Sequence, residues 1–271
     1  MLAVDCAASL TMANAQALKV SGVTAAGRYL TGRYALTPGE IAAIHGAGLS
    51  LFLIYETSPT QPSYFTYAQG LQDAKQAIAA AVSLRAPNGV GIYFTVDYDA
   101  QPGDMSAIID YVHGARDGLG GKYLLGLYGS YAVVTALRPY VDKVWQTYAW
   151  SGAQTAPNDI YQYENNARMC GVSVDLDYIN PDAGLWEGEN NVQLDNLVLC
   201  YGDADWTIAG DLAQSLKCPV AWASNATPEL LACATTKYQV GGSSAPAGVK
   251  LLGGEDRLDT MLSVLKAMGR V

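Results

Sequence analysis

The sequence predicts an α/β protein, with a slightly degenerate (β/α)₈ TIM-like barrel followed by a small α/β domain whose sheet is mainly parallel. Eight short apolar segments alternate with helical segments over about the first 180 residues, which is typical of a parallel sheet with helices outside it. Residues 49–55 (LSLFLIY) are continuously apolar, as in a strand that is buried on both faces. Eight strands in so short a chain favour a closed barrel over an open sheet.

The first part of the chain alternates predicted strands and helices in order. Strands are expected at residues 2–4, 23–30, 49–55, 91–96, 123–128, 144–150, 159–163 and 172–179. Helices are expected at residues 11–21, 37–45, 67–84, 105–119 and 132–137. Thr37 precedes a proline in the first turn and an acid just inside it, which indicates a helix start. Because the later helical segments are short, irregular connections are expected in the second half of the barrel.

A second unit of about 75 residues follows a polar segment. Its predicted order is strand, helix, strand, helix, strand, strand and helix. We expect a barrel domain at residues 1–186, a linker at 187–193 and the second domain at 194–271.

Composition excludes several classes of partner. The formal net charge is −9 without any run of Lys or Arg, so nucleic acids and acidic membrane surfaces are poor partners. No apolar run reaches the roughly 20 residues that span a bilayer, and the N-terminus does not resemble a signal peptide. We therefore expect synthesis in the cytoplasm and no membrane insertion. Five cysteines without C-x-x-C spacing and two distant histidines argue against disulfides, metals and cofactors, so acid–base chemistry falls to Asp and Glu.

Acidic residues accompany several of the predicted strands. Asp5, Glu56 and the pair Asp97 and Asp99 follow the first, third and fourth strands, and Asp175 lies in the eighth. The C-terminal ends of barrel strands meet at one mouth, where the connecting loops form the cleft. Because side chains alternate along a strand, Asp97 and Asp99 are expected to face the same way. These five carboxyl groups are the candidate catalytic residues, and crowding them would raise the pKa of at least one.

Aromatic residues occur at the same strand ends. The chain contains 18 tyrosines, and aromatic faces at a polar cleft suit the apolar faces of sugar rings. The candidate substrate-binding residues are Arg28, Tyr29, Tyr98, Tyr128, Trp150 and Gln162.

Several segments of the barrel resemble a known family. They are VDCA, AAGRYL, IYET, YFTVDYDA and LYGSY in the first five strands, and the ending IYQYENNARMCGVSVDLDYI. Over residues 1 to about 185, the chain resembles the glycoside-hydrolase-like domain family related to the family 25 lysozymes. The resemblance implies that Asp5 and Asp175 take the first and last acidic positions, and that Asp97 and Asp99 stand for the lysozymes' Asp-x-Glu pair. Here the shorter Asp99 replaces the usual proton donor, so either Asp99 or Glu56 would donate the proton.

A second resemblance begins at about residue 194. The matching segments are NLVL, the turn at 203–205, LAQSLKCP, KYQVGG and GEDRLDTMLSVL. They are similar to the C-terminal cell-wall-binding domain of clostridial phage endolysins. That resemblance implies binding to wall polysaccharide and a homo-oligomer, dimeric or higher.

Together the resemblances imply a bacteriophage endolysin for host lysis, which would reach the wall through a holin. Its barrel would be a lysozyme-like glycoside hydrolase that cuts peptidoglycan, at the β-1,4 bond after N-acetylmuramic acid. We expect Glu56 to be the general acid and Asp97 and Asp99 to act as base, nucleophile or orienting group. Asp5 and Asp175 would hold the sugar or tune the cluster.

An alternative is a non-catalytic protein that binds cell-wall glycan through a degenerate glycosidase barrel. The Asp at position 99, where the lysozymes have Glu, favours this alternative.

Overall fold

The protein divides into two compact units, Met1–Gly188 and Glu189–Val271, and the computed structural model describes residues 1–188 and 194–271. Residues 189–193 of the expected linker therefore lie outside the described residues. The first two linker residues contact the barrel, since the Glu187 carboxylate accepts a hydrogen bond from the Ser50 hydroxyl at 2.6 Å and Gly188 lies against His45.

Within residues 1–188, eight strands close into a barrel in chain order. They are β1 (Leu2–Asp5), β2 (Val23–Tyr29), β3 (Ser50–Tyr55), β4 (Gly91–Thr95), β5 (Leu124–Gly129), β6 (Lys143–Thr147), β7 (Ile160–Met169) and β8 (Val172–Ile179). A helix follows each of the first five strands: α1 (Met12–Val20), α2 (Pro38–Gly46), α3 (Tyr67–Ser83), α4 (Met105–Leu119) and α5 (Tyr131–Leu137). The predicted TIM-like α/β fold is confirmed.

The direction of the eighth strand differs from the expectation of a parallel sheet. Strands β1 to β7 run parallel to one another, whereas β8 is antiparallel to both β7 and β1. The reason is the two-residue turn between β7 and β8, formed by Cys170 and Gly171 with φ of 51° and 80°. Such a turn joins antiparallel strands, whereas a parallel pair needs a long crossover.

Short polar side chains begin four of these helices. The hydroxyls of Thr11, Thr37, Thr66 and Ser130 each accept a hydrogen bond from a backbone N–H in the first turn of α1, α2, α3 and α5. These caps satisfy donors that a helix start leaves unpaired. The helix start predicted at Thr37 is confirmed.

Large aromatic side chains fill the interior of the barrel. Phe52, Tyr93, Tyr128 and Trp145 make edge-to-face contacts, with ring centroids between 4.6 and 6.0 Å apart. Room for these rings comes from glycine on neighbouring strands, because a Cβ at Gly126 would lie 2.6 Å from the Tyr93 ring. The barrel is therefore a packed core and not a pore.

The lower end of the barrel is closed by the segment after β8. The carbonyl of Ala183 accepts a hydrogen bond from the Tyr93 hydroxyl at 2.7 Å. Trp186 is buried, pairs with Leu51 through the backbone and packs its ring on His45. This end is covered, which leaves the opposite end for a cleft.

The second unit is a smaller α/β structure. In residues 194–271, a parallel four-stranded sheet has the order β10-β9-β11-β12. Its strands are β9 (Leu194–Cys200), β10 (Val220–Trp222), β11 (Ala234–Val240) and β12 (Lys250–Leu252), and its helices are α6 (Trp206–Ser215), α7 (Pro228–Ala232) and α8 (Arg257–Ala267). Helices α6 and α8 pack on one face, and α7 packs on the other. Among the described residues, none of the helices is both long and apolar enough to cross a membrane.

The packed interior yields a first prediction. Gly126→Ala should lower the free energy of unfolding by about 1–3 kcal/mol, because the new methyl group meets the Tyr93 ring in an already filled barrel. Denaturant unfolding followed by circular dichroism would measure the change. Gly103→Ala is the control, since a Cβ there meets nothing within 4 Å. Equal stability of the two variants would contradict the packing described.

Candidate active site

A cavity of about 220 Å³ opens at the end of the barrel where the parallel strands finish. It is lined by Asp5, Tyr29, Ile54, Glu56, Thr95, Asp97, Tyr128, Trp145, Gln162, Asn165 and Asp175. Residues far apart in the chain thus meet at one mouth. Four of the five candidate catalytic acids and three of the six candidate substrate-binding residues lie among them.

The alternation of side chains along each strand places these acids above the apolar interior. On β3 and just beyond it, Phe52 and Ile54 fill the barrel, and Glu56, the next residue of the same phase, reaches the cavity. On β4, Tyr93 is followed in the same way by Thr95 and Asp97. The same strands therefore supply apolar side chains to the core and, nearer the mouth, polar side chains to the cleft.

Asp175 reaches the cavity because β8 is antiparallel. Its strand position is directly opposite Asp5 in the β1–β8 pairing. The first half of an antiparallel strand lies at the end where the parallel strands finish, so the fourth residue of β8 faces the mouth. The sequence predicted a parallel eighth strand, and this direction was wrong, although Asp175 still reaches the cavity.

Gln162 joins two of the acids. Its Oε1 accepts hydrogen bonds from the hydroxyls of Tyr128 and Thr147, both at 2.9 Å. These two donors orient the amide, so that Nε2 donates to Asp5 at 2.9 Å and to Asp175 at 3.3 Å. A residue expected to bind substrate therefore also fixes the carboxyl groups of the site.

Loss of water raises the pKa of every acid in the cavity. Burial, followed by the charge of Asp175, raises the pKa of Asp5 to about 7. Burial, followed by the charge of Asp97, raises the pKa of Glu56 to about 7. Burial also raises the pKa values of Asp97 and Asp175. Near neutral pH the cluster therefore retains protons that isolated carboxyl groups would lose.

Asp99 does not join the cluster. Strand β4 ends at Thr95, and the backbone N–H of Asp97 is bound by the Pro59 carbonyl at 3.0 Å. The chain then turns, since the backbone N–H of Ala100 donates to the Tyr98 carbonyl. Asp99 is exposed and does not line the cavity, so the expectation that it faces the same way as Asp97 was wrong.

Arg28 and Tyr98 also lie away from the cavity. Arg28 points outward from β2, is fully buried, and pairs with Glu40 of α2 at 2.7 Å. The outward direction of Arg28 follows from the alternation of side chains along β2, because its neighbour Tyr29 points inward. Tyr98 stacks on Phe65, with ring centroids 5.9 Å apart. Contacts with other protein groups therefore account for the positions of Arg28 and Tyr98 without a substrate.

Trp150 lies on the loop after β6, at the mouth end of the barrel, and is not among the residues that line the cavity. Its φ of 54° is rare for a bulky residue. The loop is anchored by Ser151, whose hydroxyl donates to the Thr147 carbonyl at 2.6 Å and accepts from the Tyr131 backbone N–H at 2.9 Å. The indole is 44% exposed, so it is held in solvent by a well-anchored loop.

Besides the apolar Ile54, three cavity residues were missed by sequence reasoning. Thr95 stands two residues before Asp97, so strand alternation could have found it. Asn165 lies at an irregularity in the β7–β8 pairing, and Trp145 lies in the middle of β6. No sequence pattern marks either position as part of a cavity. Oδ1 of Asn165 and Oγ1 of Thr95 are buried without a hydrogen-bond partner, and both are available to a ligand.

A second cavity of about 350 Å³ continues from the first and shares Asp5, Tyr29 and Asp175 with it. Tyr34 and Asn166 also line it. The cleft therefore extends to one side of the acids.

Comparisons with known proteins agree with this architecture. A model of the Rv2525c-like, glycoside hydrolase-like domain family matches residues 16–186. The uncharacterized protein YbfG of Bacillus subtilis is 37% identical over 145 residues, which are 47% of this chain and 20% of YbfG. The chain thus spans about a fifth of the length of this curated relative.

A solved structure shares the fold of the barrel. The Tat-secreted protein Rv2525c of Mycobacterium tuberculosis, in complex with L-tartrate, superposes with a TM-score of 0.60 at 21% identity, over 68% of this chain and 98% of that one. The CTP1L endolysin aligns with 100% of this chain and 99% of its own at 16% identity, with a TM-score of 0.48.

The raised pKa of Glu56 yields a prediction for stability. Because the folded protein binds this proton more tightly than the unfolded chain, ionisation of Glu56 costs stability as pH rises from about 4.5 through about 7. Glu56→Gln should therefore match the wild type at pH 4 and exceed its free energy of unfolding by about 1–3 kcal/mol at pH 8. Thermal unfolding at several pH values would measure this.

The control for this measurement is Asp99→Asn, which removes an exposed carboxylate from the loop after β4. Its stability difference from the wild type should not grow with pH in the same way. If Glu56→Gln raised the free energy of unfolding equally at pH 4 and pH 8, the raised pKa of Glu56 would be contradicted.

Proposed function

The chain belongs to the Rv2525c-like, glycoside hydrolase-like domain family, and from this membership we propose that its barrel hydrolyses glycosidic bonds of bacterial peptidoglycan. The observation that carries the proposal is the convergence of Asp5, Glu56, Asp97 and Asp175 in one cavity, with raised pKa values. Glycoside hydrolysis needs two carboxyl groups, one protonated and one ionised, on the two sides of the scissile bond.

Glu56 is the proposed general acid. Its pKa of about 7 keeps a proton available near neutral pH, and burial is the larger cause. This proton passes to the glycosidic oxygen as the bond to the anomeric carbon breaks, so the leaving sugar departs as a neutral alcohol. Asp99 is a poorer candidate, because it is exposed and outside the cavity.

Asp97 is the proposed partner carboxylate. It is the neighbouring charge that most affects Glu56, and its backbone is held by the Pro59 carbonyl. Its negative charge would stabilise the oxocarbenium-like state at the anomeric carbon or activate the attacking water. Asp5 and Asp175, both held by Gln162, would hold the sugar or tune the charge of the cluster.

Substrate contacts are proposed for aromatic and polar groups around the acids. Tyr29 and Tyr128 line the cavity, and exposed Trp150 at the mouth end offers a flat apolar face to a sugar ring. Thr95 and Asn165 carry unpaired polar atoms that suit the hydroxyl or acetamide groups of a muramyl glycan. The β-1,4 bond after N-acetylmuramic acid is the proposed cleavage point.

A second candidate function is recognition of wall glycan without cleavage. The observation in its favour is Asp99, which stands where related lysozymes carry their proton donor and is directed to solvent. The two functions differ in whether new reducing ends appear.

The proposed biological role is that of a bacteriophage endolysin. The chain would be made in the host cytoplasm and released to the wall through a holin. Residues 194–271 would bind wall polysaccharide and associate with further copies. The sequence resemblance to endolysin wall-binding modules supports this role, as do exposed Tyr201 and Trp206 after β9 and exposed Leu258, Met261 and Leu262 on α8.

Substitution of the acids tests the enzymatic proposal. Glu56→Gln and Asp97→Asn should each lower the release of reducing ends from purified peptidoglycan by about 100-fold or more, because proton transfer and charge stabilisation are lost. Asp99→Asn should stay within about threefold of the wild type, since its side chain lies outside the cavity. Co-sedimentation with walls would show whether the inactive variants still bind.

Two outcomes would contradict this assignment. Loss of activity in Asp99→Asn together with an active Glu56→Gln would transfer the role of acid to Asp99. Binding of the wild type to walls without any new reducing ends would leave the non-catalytic function.

Self-association of the second domain is tested by sedimentation. The wild type should sediment above the 28.7 kDa of one chain, and Leu258→Glu with Leu262→Glu should return it to one chain, because charged groups would replace exposed apolar ones. Val20→Glu is the control, since it makes the same change at an exposed residue of the barrel. A wild type that sediments as one chain would refute the oligomer.

A further inference from the structure

A fifth carboxyl group lies beneath the four that line the cavity. Asp177 is on β8, two residues beyond Asp175 on the same side of the strand. It is 0% exposed and does not line the cavity. Its Oδ1 accepts a hydrogen bond from Nε1 of Trp145 at 2.9 Å. It is thus buried at the boundary between the aromatic core and the acidic mouth.

The second oxygen of Asp177 has an unusual environment. In the described part of the chain, no donor reaches Oδ2, and Asp5 is the diagonal neighbour of Asp177 on the adjacent strand, with both side chains on the inner face of the barrel. Two ionised carboxylates repel each other and cannot form a hydrogen bond. Two carboxyl groups in this arrangement are compatible only if one of them carries a proton, as a donor to the other.

The surroundings decide which of the two carries it. Asp5 accepts a hydrogen bond from Gln162 and lines a cavity open to solvent, and both features stabilise its ionised form. Asp177 has the single indole donor and no contact with solvent. Ionised, it would be a buried charge without a compensating cation, which is strongly unfavourable.

We infer that Asp177 is a permanently neutral carboxylic acid, whose proton is donated to Asp5 and fixes that carboxylate at the floor of the cleft. Gln162 then holds one oxygen of Asp5 and Asp177 holds the other. Asp177 is a positioning residue, because it acts through Asp5. Its effect on catalysis rests on the proposed function, whereas its protonation does not.

The groups that face Asp177 agree with this assignment. They are Asp5 on β1, Asp175 on its own strand and the Tyr93 hydroxyl on β4. Burial, followed by the charge of Asp5, raises the pKa of Asp177 well above its ordinary value. When Asp5 or Asp175 loses its proton near neutral pH, the added negative charge makes Asp177 hold its own proton more tightly.

Infrared spectroscopy of the full chain tests the protonation directly. At pH 8, where Asp5 and Glu56 are mostly ionised, the wild type should show the C=O stretching band of a protonated carboxylic acid. The band should vanish in Asp177→Asn and persist in Asp99→Asn, the matched control on an exposed acid. Absence of the band in the wild type, or its survival in Asp177→Asn, would overturn the inference without any assay of activity.

Two variants test the positioning role. Asn at this position can still accept from Trp145 and donate to Asp5, so Asp177→Asn should keep the acid limb of the pH–rate profile. Its thermal midpoint should rise above that of the wild type as pH increases from 5 to 8, because the Asp177 carboxyl group ionises only when the wild type unfolds. Asp177→Leu removes both contacts and should move that limb upward by about one pH unit, because the ionised form of Asp5 loses a donor. An unshifted limb in Asp177→Leu, or an equal shift in both variants, would refute positioning through Asp5.

The infrared and activity measurements distinguish a failure of the proposed hydrolase function from a failure of the inference about Asp177. If the wild type releases no reducing ends, the proposed hydrolase function fails, and the infrared band and the thermal midpoint of Asp177→Asn still decide the state of Asp177. If Asp177→Leu does not fold, Asp177→Asn carries the test: a midpoint that does not rise relative to the wild type between pH 5 and pH 8 would refute a neutral Asp177.

Discussion

The antiparallel pairing of β8 with β1 is the constraint on which the cleft depends. It closes the barrel and sets Asp175 directly opposite Asp5. The two-residue turn at Cys170 and Gly171 enforces this direction, since so short a connection permits only antiparallel strands. Because the early part of β8 then lies at the mouth, an acid in the middle of the strand becomes part of the cleft, and a second one, Asp177, lies just below it.

Burial of these acids gives the cleft its chemical character. In each of the four cavity acids, loss of water is the largest cause of the raised pKa, and a neighbouring carboxylate follows for Asp5, Glu56 and Asp97. Gln162 compensates part of this cost by donating to two of them. An aromatic core lies below and water lies above, so protons are retained near neutral pH at groups that remain accessible to a ligand. A site for proton transfer to a glycosidic oxygen needs this combination.

Much of the fold follows from local pattern, and the exceptions have definite causes. Glu56 and Asp97 were found because parallel strands finish at one end of a barrel. Asp99 was misplaced because its strand ends at Thr95, and the position of that end depends on contacts with the Pro59 carbonyl. Arg28 was misplaced although alternation with inward-facing Tyr29 already directs it outward, to a buried partner on α2.

Residues close in sequence are enough to establish the order of strands and helices, the caps that begin the helices and the acids that follow the strands, because these features depend on periodicity and short-range hydrogen bonds. The assembled barrel decides which acids meet, how the Gln162 amide is oriented and which carboxyl groups keep a proton. These properties depend on burial and on partners such as Asp5 and Gln162, which lie 157 positions apart. No local pattern encodes a dielectric environment that arises only when distant strands close around it.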